Sequence, residues 1–339
     1  MWLRPERALS SPHRSPSFRV NAPRLMITGP HRYADLARIW HRIVHTELVP
    51  AFRSLGWKVR VVIFRDANQD RFAQSDFPQT SFQDPGPGAR DFVEFYDAAL
   101  QTDCDFIFFL DADVFVLNGT WAASFTRHFD NPDVAALSYL RRGKLPGVFA
   151  LLCRAKYFRA LPDRAMMASY EDLQKWPDSL NRGPGERAAL MLEKAGKRIL
   201  DFNDEAPQRI SDFHGTTVIR VSRETFAGVI GEEAFETLIA NKRYFAMGAY
   251  DNVLLGWLYR AVFEGPFAPD ADGGELGGSL TAEALRRVLA RIERPELRAA
   301  LSEYFARSDR SAERLARYLG VRAPRPVLTP DCWRAANAS

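Results

Sequence analysis

Two carboxylates separated by one alanine, Asp111-Ala112-Asp113, follow the apolar run Phe106-Ile107-Phe108-Phe109-Leu110 and precede Val114-Phe115-Val116-Leu117. Carboxylate oxygens are hard donors, so such a pair suits Mg2+ or Mn2+ shared with a phosphate rather than a softer metal. For both to reach one ion, the chain must turn at Ala112 or one of them must bind through water. The bland alternative is a solvated loop start or a helix cap, since an isolated D-x-D carries little information.

The elements around the pair favour the chemical reading. Five consecutive apolar residues bounded by polar ones read as a strand buried on both faces, in the middle of a parallel sheet sandwiched by helices. The carboxyl edge of such a sheet is where ligands sit. Upstream, Leu25-Met26-Ile27-Thr28 reads as a short strand ended by Gly29-Pro30. Tyr33, Leu36, Ala37, Trp40, Ile43 and Val44 recur at helical spacing, with a kink near Pro50 and a stop at Gly56. Residues 58–64 form a second strand ending at Arg65-Asp66. Strand, helix and strand in that order predict a right-handed crossover with parallel strands. Asp66 at its edge either accepts hydrogen bonds from a nucleoside base or ribose, or is a turn residue before Ala67-Asn68. Residues 66–90 are polar and rich in Pro and Gly, which predicts a surface loop. Asp91 caps the next helix, placing Arg90 beside free N–H groups and the positive end of a dipole, a cradle for a diphosphate or simply a solvated side chain.

Composition narrows the class. The 339 residues carry 46% hydrophobic and 26% charged side chains, ordinary values for a folded globular protein. The formal net charge is +4 with both signs interspersed, so charge does not indicate nucleic-acid binding. No apolar run is long enough for a transmembrane segment, and residues 1–23 lack the apolar core of a secretory signal, which gives a cytoplasmic expectation. Those residues, with Arg4, Arg7, Arg14 and Arg19, read as a flexible basic tail. Cys104, Cys153 and Cys332 are odd in number and widely spaced, arguing against a disulfide framework or a zinc site.

At this point the residues carry a resemblance. The run from Gly88-Ala89-Arg90 through Ala98-Ala99 to Leu110-Asp111-Ala112-Asp113 resembles the nucleotide-diphosphate half of GT-A glycosyltransferases, especially the GT2-like inverting group with its DxD motif. Pro146-Gly147-Val148-Phe149-Ala150-Leu151-Leu152-Cys153-Arg154 is similar to the strand that assembles the acceptor side of that fold. Gly183-Pro184-Gly185-Glu186-Arg187, with Ala195-Gly196 further on, is similar to the family's G-E-D-x-x-L helix. The match covers residues 24–230 in order and is specific as a set.

The resemblance implies an α/β fold of GT-A type: a Rossmann-like mixed, mostly parallel sheet flanked by helices, with a C-terminal helical appendage. It implies a catalytic domain over residues 24–270, divided into a nucleotide-binding half (24–117) and an acceptor half (118–270), and a helical region over 279–322. Thr28, Gly29, Asp66, Arg90, Asp111, Ala112 and Asp113 would contact the donor. Asp111 and Asp113 would hold Mn2+ or Mg2+, and His214, before the expected strand Val218-Ile219-Arg220-Val221, would complete the metal shell or serve as a structural residue. The family's acidic pair is Glu186-Arg187 here, so only Glu186 could act as the base; Glu171-Asp172 is the reserve. Asp251, in Ala249-Tyr250-Asp251-Asn252, is similar to a residue of the retaining enzymes and is a catalytic candidate, an acceptor contact or a helix cap. Beyond Gly273-Gly274-Glu275-Leu276-Gly277-Gly278, read as a joint, two helices separated by Pro295 cover the acceptor site, support an oligomer or pack on the core.

The expected activity is transfer of a sugar from a nucleoside diphosphate sugar, UDP before GDP, to an acceptor that is a small molecule, a glycan, a lipid-linked sugar or a protein, by inverting displacement. A phosphatase of the haloacid dehalogenase type, with Asp111 as nucleophile, is the rival enzyme. A sugar-nucleotide-binding protein that lost its base at Arg187 is the non-catalytic alternative.

Overall fold

The computed structural model describes residues 22–65, 72–84, 92–138, 150–162, 165–166, 185–201, 210–213, 216, 219–220, 226–263, 282–292 and 294–323. Its centre is a seven-stranded sheet ordered β3-β2-β1-β4-β7-β6-β8. The strands are β1 (Arg24–His31), β2 (Lys58–Arg65), β3 (Thr80–Gln83), β4 (Phe106–Leu110), β6 (Val134–Ser138), β7 (Ala150–Arg154) and β8 (Arg198–Asp201). β7 runs antiparallel to both neighbours, and every other pair is parallel. A separate two-stranded ribbon pairs β5 (Val114–Val116) with β9 (Ile210–Asp212), antiparallel.

The apolar run predicted to lie buried on both faces does so. In β4, Phe106, Phe108 and Leu110 enter one apolar cluster while Ile107 and Phe109 enter the other. Burying each such side chain contributes roughly 1.5–3 kcal/mol. The first face is covered by α1 (Ala34–Ile43), α2 (Val49–Ser54) and α4 (Ala122–His128), the second by α3 (Phe92–Leu100), α5 (Ala155–Arg159) and α6 (Glu186–Lys194). The helical layer α7 (Glu232–Asn241), α8 (Arg243–Val262), α9 (Ala282–Ala290) and α10 (Pro295–Leu319) joins the first cluster through Phe235, Leu254, Leu285 and Leu315. Tyr250 on α8 stacks on Phe305 of α10 with ring centroids 4.1 Å apart. The joint at 273–278 lies outside the described residues.

Several local expectations change. Gly29-Pro30 does not end β1, which continues to His31. The ladder with β4 stops at Thr28, so at Pro30 the register continues with β2 alone, and a strand side without ladder bonds tolerates a proline. The helix expected before Pro50 widens at Val44–Leu48, where the Val49 N–H donates to the Val44 carbonyl. A widened turn of this kind is one way a helix accommodates a residue with no N–H. Thr80–Gln83 is a strand inside the expected loop, recruited to the sheet edge by β2. Ile219 and Arg220, expected in a strand, are helical. Gly56 does end α2, with φ +81°.

Candidate functional site

The Asp111-Ala112-Asp113 segment is a tight turn between β4 and β5, closed by the Val114 N–H donating to the Asp111 carbonyl at 3.1 Å. In an extended strand, residues two apart stand about 6–7 Å from each other; a turn shortens that spacing. Asp113 is buried and Asp111 half-buried. Burial pushes the Tyr96 hydroxyl on α3 well above the usual phenol range, and the Asp111 charge pushes it further. On the other side of the turn, the Phe213 N–H donates to the Asp113 carbonyl at 3.1 Å, and Asp212 of β9 pairs with Val114. Strand β9 thus delivers the chain to the carboxylate turn one residue before His214, which lies outside the described residues.

The end of β1 borders the same edge. Gly29 approaches β4 so closely that a Cβ would stand 2.0 Å from the Leu110 carbonyl oxygen. The contact is with backbone, which cannot rotate away. Gly29→Ala is therefore expected to push β1 and β4 apart and to destabilise by about 1–3 kcal/mol, the usual range for overpacking, as read by the urea midpoint. Thr28 is fully buried, and its hydroxyl donates to the Val62 carbonyl at 2.8 Å, a bond that ties β1 to β2.

Topology places the amino terminus of α6 at the same edge, because β8, which follows it, runs parallel to β6 and β4 in direction. Gly185 at its start has φ +89°, a left-handed conformation that glycine adopts without strain. Glu186 is the first residue of the helix; its side chain lies outside the described residues, as do Asp66, Arg90, Glu171 and Asp172. Asp251 is not a helix cap: it sits inside α8, 0% exposed, and accepts from the Tyr304 hydroxyl of α10 at 2.5 Å. Burial raises its carboxyl well above the carboxylate range, while Ser308 and Tyr304 oppose the shift and the Asp212 charge adds to it. The side chain is thus enclosed between α8 and α10, and its catalytic and acceptor-contact readings stay expectations from the sequence.

The donor set at the turn fits a hard divalent cation: two carboxylates in one turn, with phosphate oxygens and water to complete the shell. Among the described residues no group of three His, Cys, Asp or Glu side chains forms a closed metal site.

No family model and no curated protein matches the chain by sequence. Solved structures resemble it in outline. A mannosyltransferase of Pyrobaculum calidifontis, PcManGT, determined with GDP-Man and Mn2+, is 13% identical, with 88% of this chain and 86% of that one covered and a TM-score of 0.40. The glycosyltransferase GlyE of Streptococcus pneumoniae TIGR4 is 15% identical at a TM-score of 0.37, over 62% of this chain and 50% of that one. The chain thus spans half the length of the pneumococcal protein. Glucosyl-3-phosphoglycerate synthase of Mycobacterium tuberculosis, determined with Mn2+, UDP and phosphoglyceric acid, is 11% identical at a TM-score of 0.35, over 53% and 68%. Likeness of this degree carries no argument about chemistry, which rests on the residues of the chain.

Two groups escaped the sequence reading. His31 ends β1, is 1% exposed, and finds no hydrogen-bond partner for either ring nitrogen among the described residues. Arg220 is fully buried against Asp35 and Asn252. The one available signal was their position: His31 follows a predicted strand end, and Arg220 interrupts an apolar run after His214.

Proposed function

We propose that the chain is a glycosyltransferase of GT-A type that takes a nucleoside diphosphate sugar and passes the sugar to an acceptor hydroxyl. The observation that carries this reading is the carboxylate turn at residues 111–114, at the carboxyl end of the central strand and bridged to β9. Asp111 and Asp113 would hold Mn2+ or Mg2+, and the resemblance adds His214 to that set. A divalent cation bound there supplies electrostatic stabilisation of the departing diphosphate. Gly29 leaves room for the close packing of β1 on β4 that aligns the edge, while Asp66 and Arg90 are the proposed nucleoside and diphosphate contacts. Glu186, at a helix amino terminus where the dipole favours the carboxylate, is the proposed base that takes the acceptor proton in an inverting displacement. UDP is placed before GDP on the resemblance alone.

The phosphatase reading is not favoured, because its nucleophile strand opens the core domain, whereas β4 here follows a complete strand-helix-strand unit. Incubation with Mn2+ and a panel of UDP- and GDP-sugars should release free nucleoside diphosphate slowly even without an acceptor. Asp113→Asn should lower that rate at least about a hundredfold, the order expected when one preorganised charge-stabilising group is removed. Release of inorganic phosphate from phosphomonoesters without nucleotide-sugar turnover would point to the phosphatase instead. Calorimetric donor binding without turnover on any acceptor would point to a binding protein.

A further inference from the structure

A buried guanidinium requires close partners, and those of Arg220 run in a line toward the carboxylate turn. Nη1 donates to Asp35 Oδ1 at 2.9 Å, and that oxygen also accepts from the Leu36 N–H at 2.7 Å, which ties it to the start of α1. Nε donates to Asn252 Oδ1 at 2.7 Å. Asn252 Nδ2 in turn donates to the Thr216 carbonyl at 2.9 Å and the Gly248 carbonyl at 2.8 Å. The Thr216 hydroxyl donates to the Phe213 carbonyl at 3.0 Å, and the Phe213 N–H reaches the Asp113 carbonyl at 3.1 Å. The Tyr33 ring covers the guanidinium at 4.7 Å. Asp35, Thr216, Arg220 and Asn252 are each at most 2% exposed.

We infer that Arg220 is a positioning residue for the metal-binding turn: through Asn252, Thr216 and Phe213 it fixes the backbone at Asp113 and the chain on both sides of position 214. This rests on the cation-binding reading given above. Three elements distant in sequence, α1, α8 and the segment after β9, meet at one planar fork, and a guanidinium holds two acceptors at a fixed angle where an ammonium holds a point contact. Arg220→Lys keeps a cation for Asp35 but gives up the simultaneous bond to Asn252. Thr216→Val removes the single hydroxyl that links the relay to Phe213.

The experiment measures Mn2+ binding by the electron paramagnetic resonance signal of free manganese, alongside the thermal midpoint and donor hydrolysis at limiting and saturating Mn2+. Both variants should bind Mn2+ about 10–100-fold more weakly, the range for groups that orient metal ligands from outside the shell. Their hydrolysis should be deficient at limiting Mn2+ and restored in large part at saturation. Leu285→Val, a buried change in α9 outside the relay, should lower the midpoint yet leave Mn2+ affinity at the wild-type level. Should Arg220→Lys fail to fold, Thr216→Val decides. Wild-type Mn2+ binding with unchanged affinity in the deciding variants would overturn the positioning role alone. An equal loss in Leu285→Val would overturn it as general softening. Absence of Mn2+ binding by the wild type would overturn both this role and the reading it rests on.

Discussion

Replacing Arg220 by methionine is expected to destabilise the protein by about 3–5 kcal/mol, because the change strands the Asp35 carboxylate, 2% exposed, without its cation. Among the described residues Asp35 would keep the Leu36 N–H alone, and Asn252 Oδ1 would lose the Arg220 donor. In a chain of this size the thermal midpoint should fall on the order of 10 °C. The same principle predicts rescue. A buried pair replaced as a unit leaves no uncompensated charge, so Asp35→Leu with Arg220→Met should recover at least half of the loss. A double-mutant cycle by urea unfolding checks this, and losses that simply add would show that the two side chains do not depend on each other.

Acidification should expose the second large effect. His31 lies in an apolar setting, its ring edge-on to Trp40 at 4.7 Å, and burial first, then the His41 charge, pushes its pKa from 6.5 down to about 3. The folded chain therefore resists a proton that the unfolded chain accepts. Between pH 6.5 and about 3 the unfolded state binds more protons, so stability falls as pH falls through that window and is fully retained above it. At about 1.4 kcal/mol per pH unit, the cumulative loss from His31 is roughly 4–5 kcal/mol. His45, pushed down to about 4 by burial and by the His41 and Arg53 charges, acts in the same direction but is only half-buried and is screened accordingly. His41, also lowered by burial, keeps a hydrogen bond to the Pro78 carbonyl at 3.0 Å. Urea midpoints measured from pH 7 to pH 4 should show the slope. In His31→Leu the slope should flatten while stability at pH 7 changes by less than about 1.5 kcal/mol, since no bonded polar atom is lost. An unchanged slope in that variant would assign the acid sensitivity elsewhere.

The two carboxylates and the strand that carries them were legible because their signal is local. Five apolar residues in series can be satisfied only between two apolar layers, and the carboxylates at 111 and 113 mark where the strand ends. The first crossover was readable for the same reason, since its periodicities change within a few residues. β6, β8 and α7 carried no comparable local contrast and were not anticipated. Residues 218–221 looked like a strand by composition, yet Ile219 and Arg220 fold as helix because the segment is held by α8 and α1 and not by a ladder.

What the sequence determined by itself was the position of the carboxylate pair and the alternation of strands and helices that brings it to a sheet edge. Tertiary structure alone decided that β9 pairs with β5 beside Asp113, that Asp251 is sealed between α8 and α10, and that Arg220 meets Asp35 across 185 residues. Periodicity reports which face of an element is apolar, but an ion pair or a ladder between distant segments forms only after the packing of other elements has brought their backbones together. No local pattern encodes that packing.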